Sequence, residues 1–251
     1  MHGFRLDVET HVITAAVTSI QNLMKCVRRA GIEIDGLVLE PLASAEAVLT
    51  EHEKQQGVLL ADIGGGTTDI AVFKNGSIFH TSILPVAGYQ VTRDIAIGLG
   101  LPFHLAEEMK KKYGDVMPSH QVQAGDRVLT EDGHSISYND LSEVIRTRVD
   151  ELLRLVVMEL PHADYASIIP AGLVLTGGTA NLRGITELTH EITHLPVRVG
   201  IPADLLGVSE YLRDPAYATS VGLLLWTMKN QIKQHRGSLR GLVSRILRLF
   251  R

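Results

Sequence analysis

The sequence has little of what marks a secreted, disulfide-stabilised or membrane-spanning protein. Cys26 is the only cysteine among 251 residues, which excludes a disulfide framework and favours a reducing cytosol. No stretch reaches the roughly 20 consecutive apolar residues of a transmembrane helix, and charges come too early at the amino terminus for a cleavable signal peptide. The composition that is present, 45% hydrophobic and 21% charged residues, is that of a globular protein with a sizeable core.

Acidic residues are missing from the carboxy-terminal part of the chain. From Met228 to Arg251 there are seven basic residues and no acidic one, although the net charge of the whole chain is -4. The body is therefore acidic, which argues against nucleic acid as a partner of the body. A basic segment after an acidic body indicates that this segment has a separate contact.

Hydrophobic periodicity predicts a mixed α/β chain. Apolar runs predict strands over 57–63, 68–73 and 77–84, which a glycine turn and the Asn75-Gly76 hairpin turn join into an antiparallel meander. Shorter strands are predicted over 1–10, 11–16, 35–39, 173–176 and 197–199, with a further hairpin at 132–133. Helical spacing predicts helices over 18–29, 43–49, 88–100, 102–113, 140–157, 183–194 and 216–228. Cys26 would lie on the core-facing side of the first of these helices.

The segment 62–69 between two predicted strands is the clearest candidate for a binding site. Its three glycines let the backbone approach a phosphate and direct successive amide N–H groups at it. Threonine hydroxyls can add donors, and two aspartates can hold Mg²⁺ through water. The segment is not a Walker A loop or a Rossmann loop, since it lacks Gly-Lys-Ser/Thr and a strand follows it; a glycine-rich β-turn is the alternative. The candidate phosphate and magnesium residues are Asp62, Gly64, Gly65, Gly66, Thr67, Thr68 and Asp69.

A second glycine pair, Gly177-Gly178, lies where a predicted strand meets a helix. Backbone without side chains at such a junction can lie against a sugar and a base. Glu107 and Lys110, at i and i+3 on one predicted helix face, could hold ribose hydroxyls; a solvated charged face is the alternative. The candidate nucleoside-binding residues are Glu107, Lys110, Gly177, Gly178, Thr179 and Asn181.

Residues 238–251 form a strongly amphipathic sequence. As a helix, their apolar side chains would fall in one arc of about 160° with every arginine opposite, and the helix would be about 21 Å long. That length is too short to span a bilayer, so the segment is predicted to lie in the interface of an anionic membrane, where each arginine contributes on the order of 1 kcal/mol. A helix packed on its own body is the alternative. The candidate membrane-binding residues are Leu239, Leu242, Val243, Ile246, Leu247, Leu249 and Phe250, with Arg240, Arg245, Arg248 and Arg251.

The segment His190-Glu191-Ile192-Thr193-His194 matches the two-histidine pattern of zinc proteases. Pro196 ends the predicted helix at once, and no third ligand is evident in the sequence. We therefore do not predict a zinc site.

Together these motifs resemble the actin, Hsp70 and sugar-kinase superfamily. Segments 40–44 and 62–69 look like its connecting helix and second phosphate loop, 175–178 like its adenosine motif, and 214–222 like its second connecting helix. Within the superfamily the chain is most similar to the FtsA family of bacterial cell-division proteins. That similarity adds matches, in order, at 12–15, 38–44, 106–110 and 196–200.

The resemblance implies an α/β actin-like (ribonuclease H-like) ATPase fold that is incomplete, with an inserted small α+β subdomain and a C-terminal amphipathic helix. The first phosphate loop of the family would precede the start of this chain, leaving the nucleotide cleft half-built. The implied parts are 1–52, a remnant of the first lobe with the connecting helix; 53–87 and 161–229, the lower nucleotide-binding subdomain; 88–160, the inserted subdomain; 230–237, a linker; and 238–251, the membrane-binding helix.

The resemblance also implies a function. An FtsA-like protein would tether the FtsZ ring to the cytoplasmic side of the cell membrane at the division site, bind ATP with Mg²⁺ and self-associate into filaments. The FtsZ C-terminal peptide would contact the inserted subdomain, with Arg146 and Arg148 as partner-binding candidates. We do not expect an enzyme, since no dedicated general base is evident. The alternatives are an ATPase or kinase of the same superfamily and the actin-like component of a pilus inner-membrane platform.

Overall fold

The computed structural model describes residues 5, 8, 10–117, 126–130, 132–160, 165–202 and 210–229. The strands are β1 Val58–Ile63, β2 Thr68–Lys74, β3 Ser77–Leu84, β4 Arg127–Leu129, β5 Ser135–Ser137, β6 Leu173–Thr176 and β7 Val197–Val199. The helices are α1 Val17–Arg29, α2 Glu40–Val48, α3 Glu51–Gln56, α4 Gly88–Gly98, α5 Phe103–Tyr113, α6 Tyr138–Met158, α7 Ile185–Thr193 and α8 218–229. Short 3₁₀ turns lie at Tyr165–Ser167, Gly178–Asn181, Glu210–Leu212 and Pro215–Tyr217.

The predicted antiparallel meander is confirmed and forms three strands of a five-stranded sheet of order β3-β2-β1-β6-β7. Asp62 lies opposite Asp69 across the β1–β2 pair. The hairpin between β2 and β3 turns through Asn75 and Gly76, whose φ angles of 53° and 74° match a tight left-handed turn.

The remaining two strands are parallel to β1. β6 pairs with β1 so that Thr176 lies opposite Asp62, and β7 continues in parallel beyond β6. The carboxyl ends of β1 and β6 are therefore neighbours, which brings the glycine loop after β1 and the glycine pair after β6 to one edge. Ligands of open α/β sheets bind at such edges.

Two apolar clusters cover the two faces of the sheet. One contains the inner sides of α4, α5, α6 and α7, with Leu141, Ile145, Val149 and Leu152 of α6 fully buried. The other lies under α2 and α8. Because both faces are covered, every residue of β1 is buried, which explains why its residues are apolar apart from Asp62.

The segment around α1 differs from what the sequence predicts. The helix itself is confirmed, but none of its residues is buried, and Cys26 is exposed rather than core-facing. The predicted strands over 11–16 and 35–39 are wrong, because the described residues there have no regular secondary structure. A strand needs a neighbour for its backbone hydrogen bonds, and no described strand pairs with these stretches.

Several predicted features lie outside the described residues. These are most of the strand over 1–10, the linker 230–237 and the amphipathic segment 238–251. Among the residues that are described, no helix combines the length and the apolar character needed to cross a bilayer.

Candidate functional site

The two glycine motifs and the Glu107–Lys110 pair meet at one cleft of about 380 Å³. Three parts of the chain line it: the loop after β1, helices α4 and α5, and the turn after β6 with the 3₁₀ turn that precedes α8. Pockets of a few hundred Å³ hold small organic ligands. The lining residues are Gly64, Gly65, Gly88, Glu107, Lys110, Lys111, Gly114, Gly178, Thr179, Asn181, Leu182, Arg183 and Ala216.

The loop between β1 and β2 exposes its backbone. It closes through a hydrogen bond of 3.0 Å from the Gly64 amide to the Thr67 carbonyl. Gly65 and Gly66 are exposed, and a Cβ atom at either position would meet nothing within 4 Å. Packing does not require glycine there, so the loop keeps a bare backbone that a ligand can approach.

The two threonines of the loop have protein partners for their hydroxyls. Thr67 donates to a carboxylate oxygen of Asp69 at 3.2 Å. Thr68 is fully buried and donates to the Val86 carbonyl at 2.7 Å. Thr68 was expected to offer its hydroxyl to a phosphate, but the structure turns it into the protein because it belongs to the paired strand β2 rather than to the loop.

Asp62 and Asp69 are buried carboxylates at the base of the loop, only 6% and 5% exposed. Burial raises the pKa of Asp62 above its ordinary value, against hydrogen bonds from the Ser44 hydroxyl at 2.5 Å and the Thr219 hydroxyl at 3.1 Å. Burial also raises the pKa of Asp69, and the neighbouring charge of Asp62 adds to the effect. A bound cation would favour the ionised form of both groups.

Glu40 at the start of α2 adds a third acidic group beside this pair. Partial burial raises its pKa, and so do the negative charges of Asp69 and Asp62. In the part of the chain that the structure describes, no group of three or more His, Cys, Asp or Glu side chains is arranged to hold a metal ion directly. A hydrated Mg²⁺ needs only one or two carboxylates, so magnesium held through water remains a prediction.

Glu107 and Lys110 form an ion pair of 2.7 Å on the cleft side of α5. The Lys110 ammonium also donates to the Gly88 carbonyl at 3.1 Å and to the Thr92 hydroxyl at 2.9 Å, and that hydroxyl donates to Glu107. Burial alone would raise the pKa of Glu107, but hydrogen bonds from Lys110 and Thr92 and the charge of Lys110 lower it overall. The pair is therefore a fixed, charged element of the cleft rather than a solvated surface.

The glycine pair after β6 combines a structural residue with a cleft residue. Gly177 has φ +83°, and a Cβ atom there would lie 2.5 Å from both an Asp62 carboxylate oxygen and the Ile63 carbonyl. Only glycine leaves room for this close approach, so Gly177 allows the carboxyl ends of β1 and β6 to lie side by side. Gly178 lines the cleft, and the Thr179 hydroxyl donates to the Gly64 carbonyl at 2.9 Å.

Asn181 also lines the cleft, where its side-chain amide donates to an Asp214 carboxylate oxygen at 2.8 Å. Asp214 in turn accepts the Ala216 backbone N–H at 2.8 Å and so begins the turn before α8. Asn181 therefore connects the wall of the cleft to the turn that precedes α8.

Sequence reasoning missed several residues of the site. Gly88 lines the cleft, and Thr92 contacts both members of the charged pair. Ser44 and Thr219 bond the same oxygen of Asp62 from α2 and α8. Among these residues, only Gly88 had a local signal in the sequence, the Ala87-Gly88 pair after β3. A hydroxyl residue on a helix face gives no comparable signal.

The remaining predicted side chains lie away from the cleft. Arg146 donates to the Val116 carbonyl and to Glu191, and Arg148 pairs with Asp94 at 2.5 Å and Glu151 at 2.6 Å. In the zinc-like pattern, the Nδ1 atom of His190 lies 2.7 Å from the Leu195 carbonyl. His194 already lies beyond the end of α7, in a left-handed conformation.

Comparison with known proteins gives the family. The family model described as cell division protein FtsA matches residues 59–222. Curated cell division proteins FtsA are 48% identical over 241 residues in Pseudomonas aeruginosa, covering 92% of this chain and 56% of that protein, and 39% identical in Bacillus subtilis, covering 94% and 53%. The chain thus spans about half the length of the curated relatives it matches.

Solved structures show the same fold at lower identity. MreB5 of Spiroplasma citri bound to ADP is 23% identical with a TM-score of 0.68, covering 87% of this chain and 68% of that one. The PilM-PilN type IV pilus biogenesis complex is 22% identical with a TM-score of 0.58, covering 82% and 56%. The predicted actin-like α/β fold class is confirmed.

Proposed function

The chain belongs to the FtsA family of cell division proteins, and we propose that it tethers the FtsZ ring to the cytoplasmic face of the cell membrane. In this proposal an actin-like body binds ATP and self-associates into filaments at the division site. An inserted subdomain receives the C-terminal peptide of FtsZ, and a carboxy-terminal amphipathic helix holds the assembly on anionic lipid.

The cleft is the observation that carries the nucleotide part of the proposal. The bare backbone of Gly65 and Gly66 would receive phosphate oxygens, and the buried carboxylates Asp62 and Asp69 would hold Mg²⁺ through water. Glu107 would meet the sugar on the opposite wall. The positive charge of Mg²⁺ bound with the nucleotide would favour the ionised forms of Asp62 and Asp69. The similar MreB5 structures hold ADP and AMPPNP, which supports the same class of ligand here.

We propose a structural role for the nucleotide rather than efficient turnover. The two aspartates of the loop, Asp62 and Asp69, accept hydrogen bonds from the hydroxyls of Ser44, Thr219 and Thr67. Neither aspartate stands out as a base dedicated to activating water. Binding would favour filament formation, with at most weak ATPase activity.

The FtsZ peptide is proposed to bind the subdomain 88–160 near α6. Arg146 and Arg148 would attract its acidic residues, as the resemblance suggests. Both arginines already contact carboxylates, Glu191 and Asp94. An acidic peptide would therefore exchange partners with existing ion pairs, which makes this contact salt-dependent.

The lipid contact is proposed from the sequence of residues 238–251. Its apolar face would enter the interface while the arginines face anionic headgroups. A single short segment of this kind binds reversibly, so several copies in a filament would give firm attachment.

Liposome co-sedimentation tests the anchor. The intact chain should pellet with phosphatidylglycerol vesicles, and a chain that ends at Asn230 should stay in the supernatant. Leu242→Gln on the apolar face should weaken pelleting, whereas the matched change Ser244→Gln on the polar face should not. Equal pelleting of the intact and shortened chains would rule out the anchor.

The alternative functions gain no support from the cleft. A kinase of the superfamily would need a catalytic carboxylate beside a pocket for its second substrate, and no segment of the sequence identifies one. The likeness to PilM-PilN is one of fold, whereas the family model and the curated relatives are those of FtsA.

A further inference from the structure

Thr92 is a fully buried side chain of α4 whose hydroxyl lies among polar atoms of the cleft wall. It contacts the Gly88 carbonyl at 3.1 Å, the Lys110 ammonium at 2.9 Å and a carboxylate oxygen of Glu107. One hydroxyl has a single proton and two lone pairs. Because Lys110 can only donate, Thr92 accepts from Lys110 and gives its proton to the charged acceptor Glu107.

These contacts fix the orientation of the Glu107 carboxylate. Its Oε2 atom receives both Thr92 and Lys110, at 2.7 Å for the ammonium. Its other oxygen, Oε1, is approached by Lys111 at 3.3 Å, a side chain that is 73% exposed. Glu107, which lines the cleft, is thus held through Oε2 by two donors, whereas the contact on Oε1 is to the exposed Lys111 side chain.

The Lys110 ammonium can donate three hydrogen bonds, and it contacts three acceptors within the protein. Its ammonium contacts the Gly88 carbonyl, the Thr92 hydroxyl and the Glu107 carboxylate. Lys110 and Thr92 together therefore form a clamp that holds Glu107. The acceptor for a sugar hydroxyl is Glu107 itself.

The clamp is joined to the glycine loop on the other side of the cleft. The Gly88 amide and the Thr179 hydroxyl both donate to the Gly64 carbonyl, at 3.1 and 2.9 Å. A Cβ atom at Gly88 would lie 2.7 Å from the Thr179 hydroxyl and 3.3 Å from the Lys110 ammonium. The chain therefore keeps loop and clamp in direct contact.

We propose that Thr92 is a positioning residue for sugar recognition: it orients Glu107 so that Oε1 accepts a hydrogen bond from a ribose hydroxyl of the bound nucleotide. The proposal rests on the proposed nucleotide-binding function and adds the residue that sets its selectivity for ribose. Removing the Thr92 hydroxyl would leave the phosphate contacts in place and release the acceptor for the sugar.

The test compares the full chain with Thr92→Val and Thr92→Ser by calorimetric titration with Mg²⁺ and ATP, 2′-deoxy-ATP or 3′-deoxy-ATP. The wild type should bind ATP more tightly than at least one deoxy analogue. Thr92→Val should reduce that preference by about fivefold to tenfold, as expected for a charge-assisted hydrogen bond. Thr92→Ser keeps the hydroxyl and should keep the preference.

Thr189→Val is the matched control. Thr189 is also a fully buried helical threonine whose hydroxyl lies beside the carbonyl four residues earlier, and it donates to that Ile185 carbonyl at 2.6 Å, but it lies in α7 away from the cleft. This variant also loses a buried hydroxyl and its hydrogen bond, so its sugar preference should equal that of the wild type.

Glu107→Gln keeps the test decisive if Thr92→Val fails to fold, since Glu107 is partly exposed. It should lose the same preference, and Thr92→Val should add nothing further in that background. An unchanged preference in Thr92→Val, or an equal loss of affinity for all three nucleotides, would overturn the proposal. If the wild type bound all three nucleotides equally, the role of Thr92 would be overturned while nucleotide binding itself stood. If it bound none of them, the proposed nucleotide binding would be overturned as well.

Discussion

At the scale of single residues, the backbone at the edge of the sheet is set by close approaches. Gly177 combines φ +83° with a gap to Asp62 and Ile63 that admits no Cβ atom. Gly177→Ala should therefore lower the free energy of unfolding by about 2–4 kcal/mol, as backbone strain and displaced strand ends do. Urea denaturation followed by circular dichroism measures this change.

Gly66→Ala is the control for that prediction. A methyl group there would meet nothing within 4 Å, and no positive φ is required. Its unfolding midpoint should stay close to that of the wild type. If the two variants were equally destabilised, the close approach at Gly177 would not explain the effect.

Asp62 should make stability depend on pH in an unusual direction. Burial raises its pKa in the folded state above the ordinary 3.8. Its contribution to stability is therefore present below that value and is lost as pH rises through the folded-state pKa, by up to about 1.4 kcal/mol per pH unit. Asp62→Asn should lack this loss, so it should gain stability relative to the wild type as pH rises from 3.8 through the folded-state pKa of Asp62.

Glu53 provides a comparison of opposite sign. Burial opposes its ionisation, but hydrogen bonds from Arg198 at 2.7 and 2.8 Å and from Thr50 lower its pKa overall. Above pH 4.5, the ordinary pKa of a glutamate side chain, Glu53→Gln should be less stable than the wild type. The difference in stability should shrink on acidification.

Parallel pH profiles of stability for the wild type and Asp62→Asn would contradict the account of Asp62.

At the scale of elements, α1 and α6 contrast although both are amphipathic. Leu23 in α1 is 56% exposed, whereas Leu152 in α6 is fully buried. Leu152→Ala should cost about 2–5 kcal/mol of stability, and Leu23→Ala should cost little because it removes no packed contact. Thermal unfolding of the two variants checks this, and a large effect at Leu23 would show that α1 is covered in solution.

The same contrast explains how much of the fold the sequence predicts. The meander and α6 follow from local patterns, a tight Asn75-Gly76 turn and a long 3.6-residue period, and both are confirmed. The strands over 11–16 and 35–39 were predicted from short apolar segments alone. A short apolar segment does not supply a pairing partner, so that inference failed.

The candidate site was predictable where its chemistry is contiguous in sequence. The segment 62–69 and the pair Glu107 and Lys110 were both found. Gly64 and Gly65 of that segment line the same cleft as the pair, although Thr68 turns inward. Thr92 was missed because its role arises only when α4 and α5 pack together. Its partner Glu107 is 15 residues away along the chain.

At the scale of the whole molecule, the base of the cleft and the exit of the carboxy-terminal segment share two helices. α2 and α8 meet at Asp62 through Ser44 and Thr219. They cross so closely that a Cβ atom at Gly222 would lie 1.8 Å from the Ala43 carbonyl. Lys229, the last described residue of α8, pairs with Glu46 of α2 at 2.8 Å. The basic segment therefore starts from a fixed point on the body.

Recruitment of FtsZ to lipid tests the central claim most directly. Purified FtsZ is mixed with phosphatidylglycerol vesicles and either the intact chain or the chain that ends at Asn230, and the vesicles are sedimented. We expect FtsZ in the pellet only with the intact chain, and only when FtsZ retains its C-terminal peptide. Equal FtsZ in the pellet with both chains, or none with either, would contradict a tether built from this body and this tail.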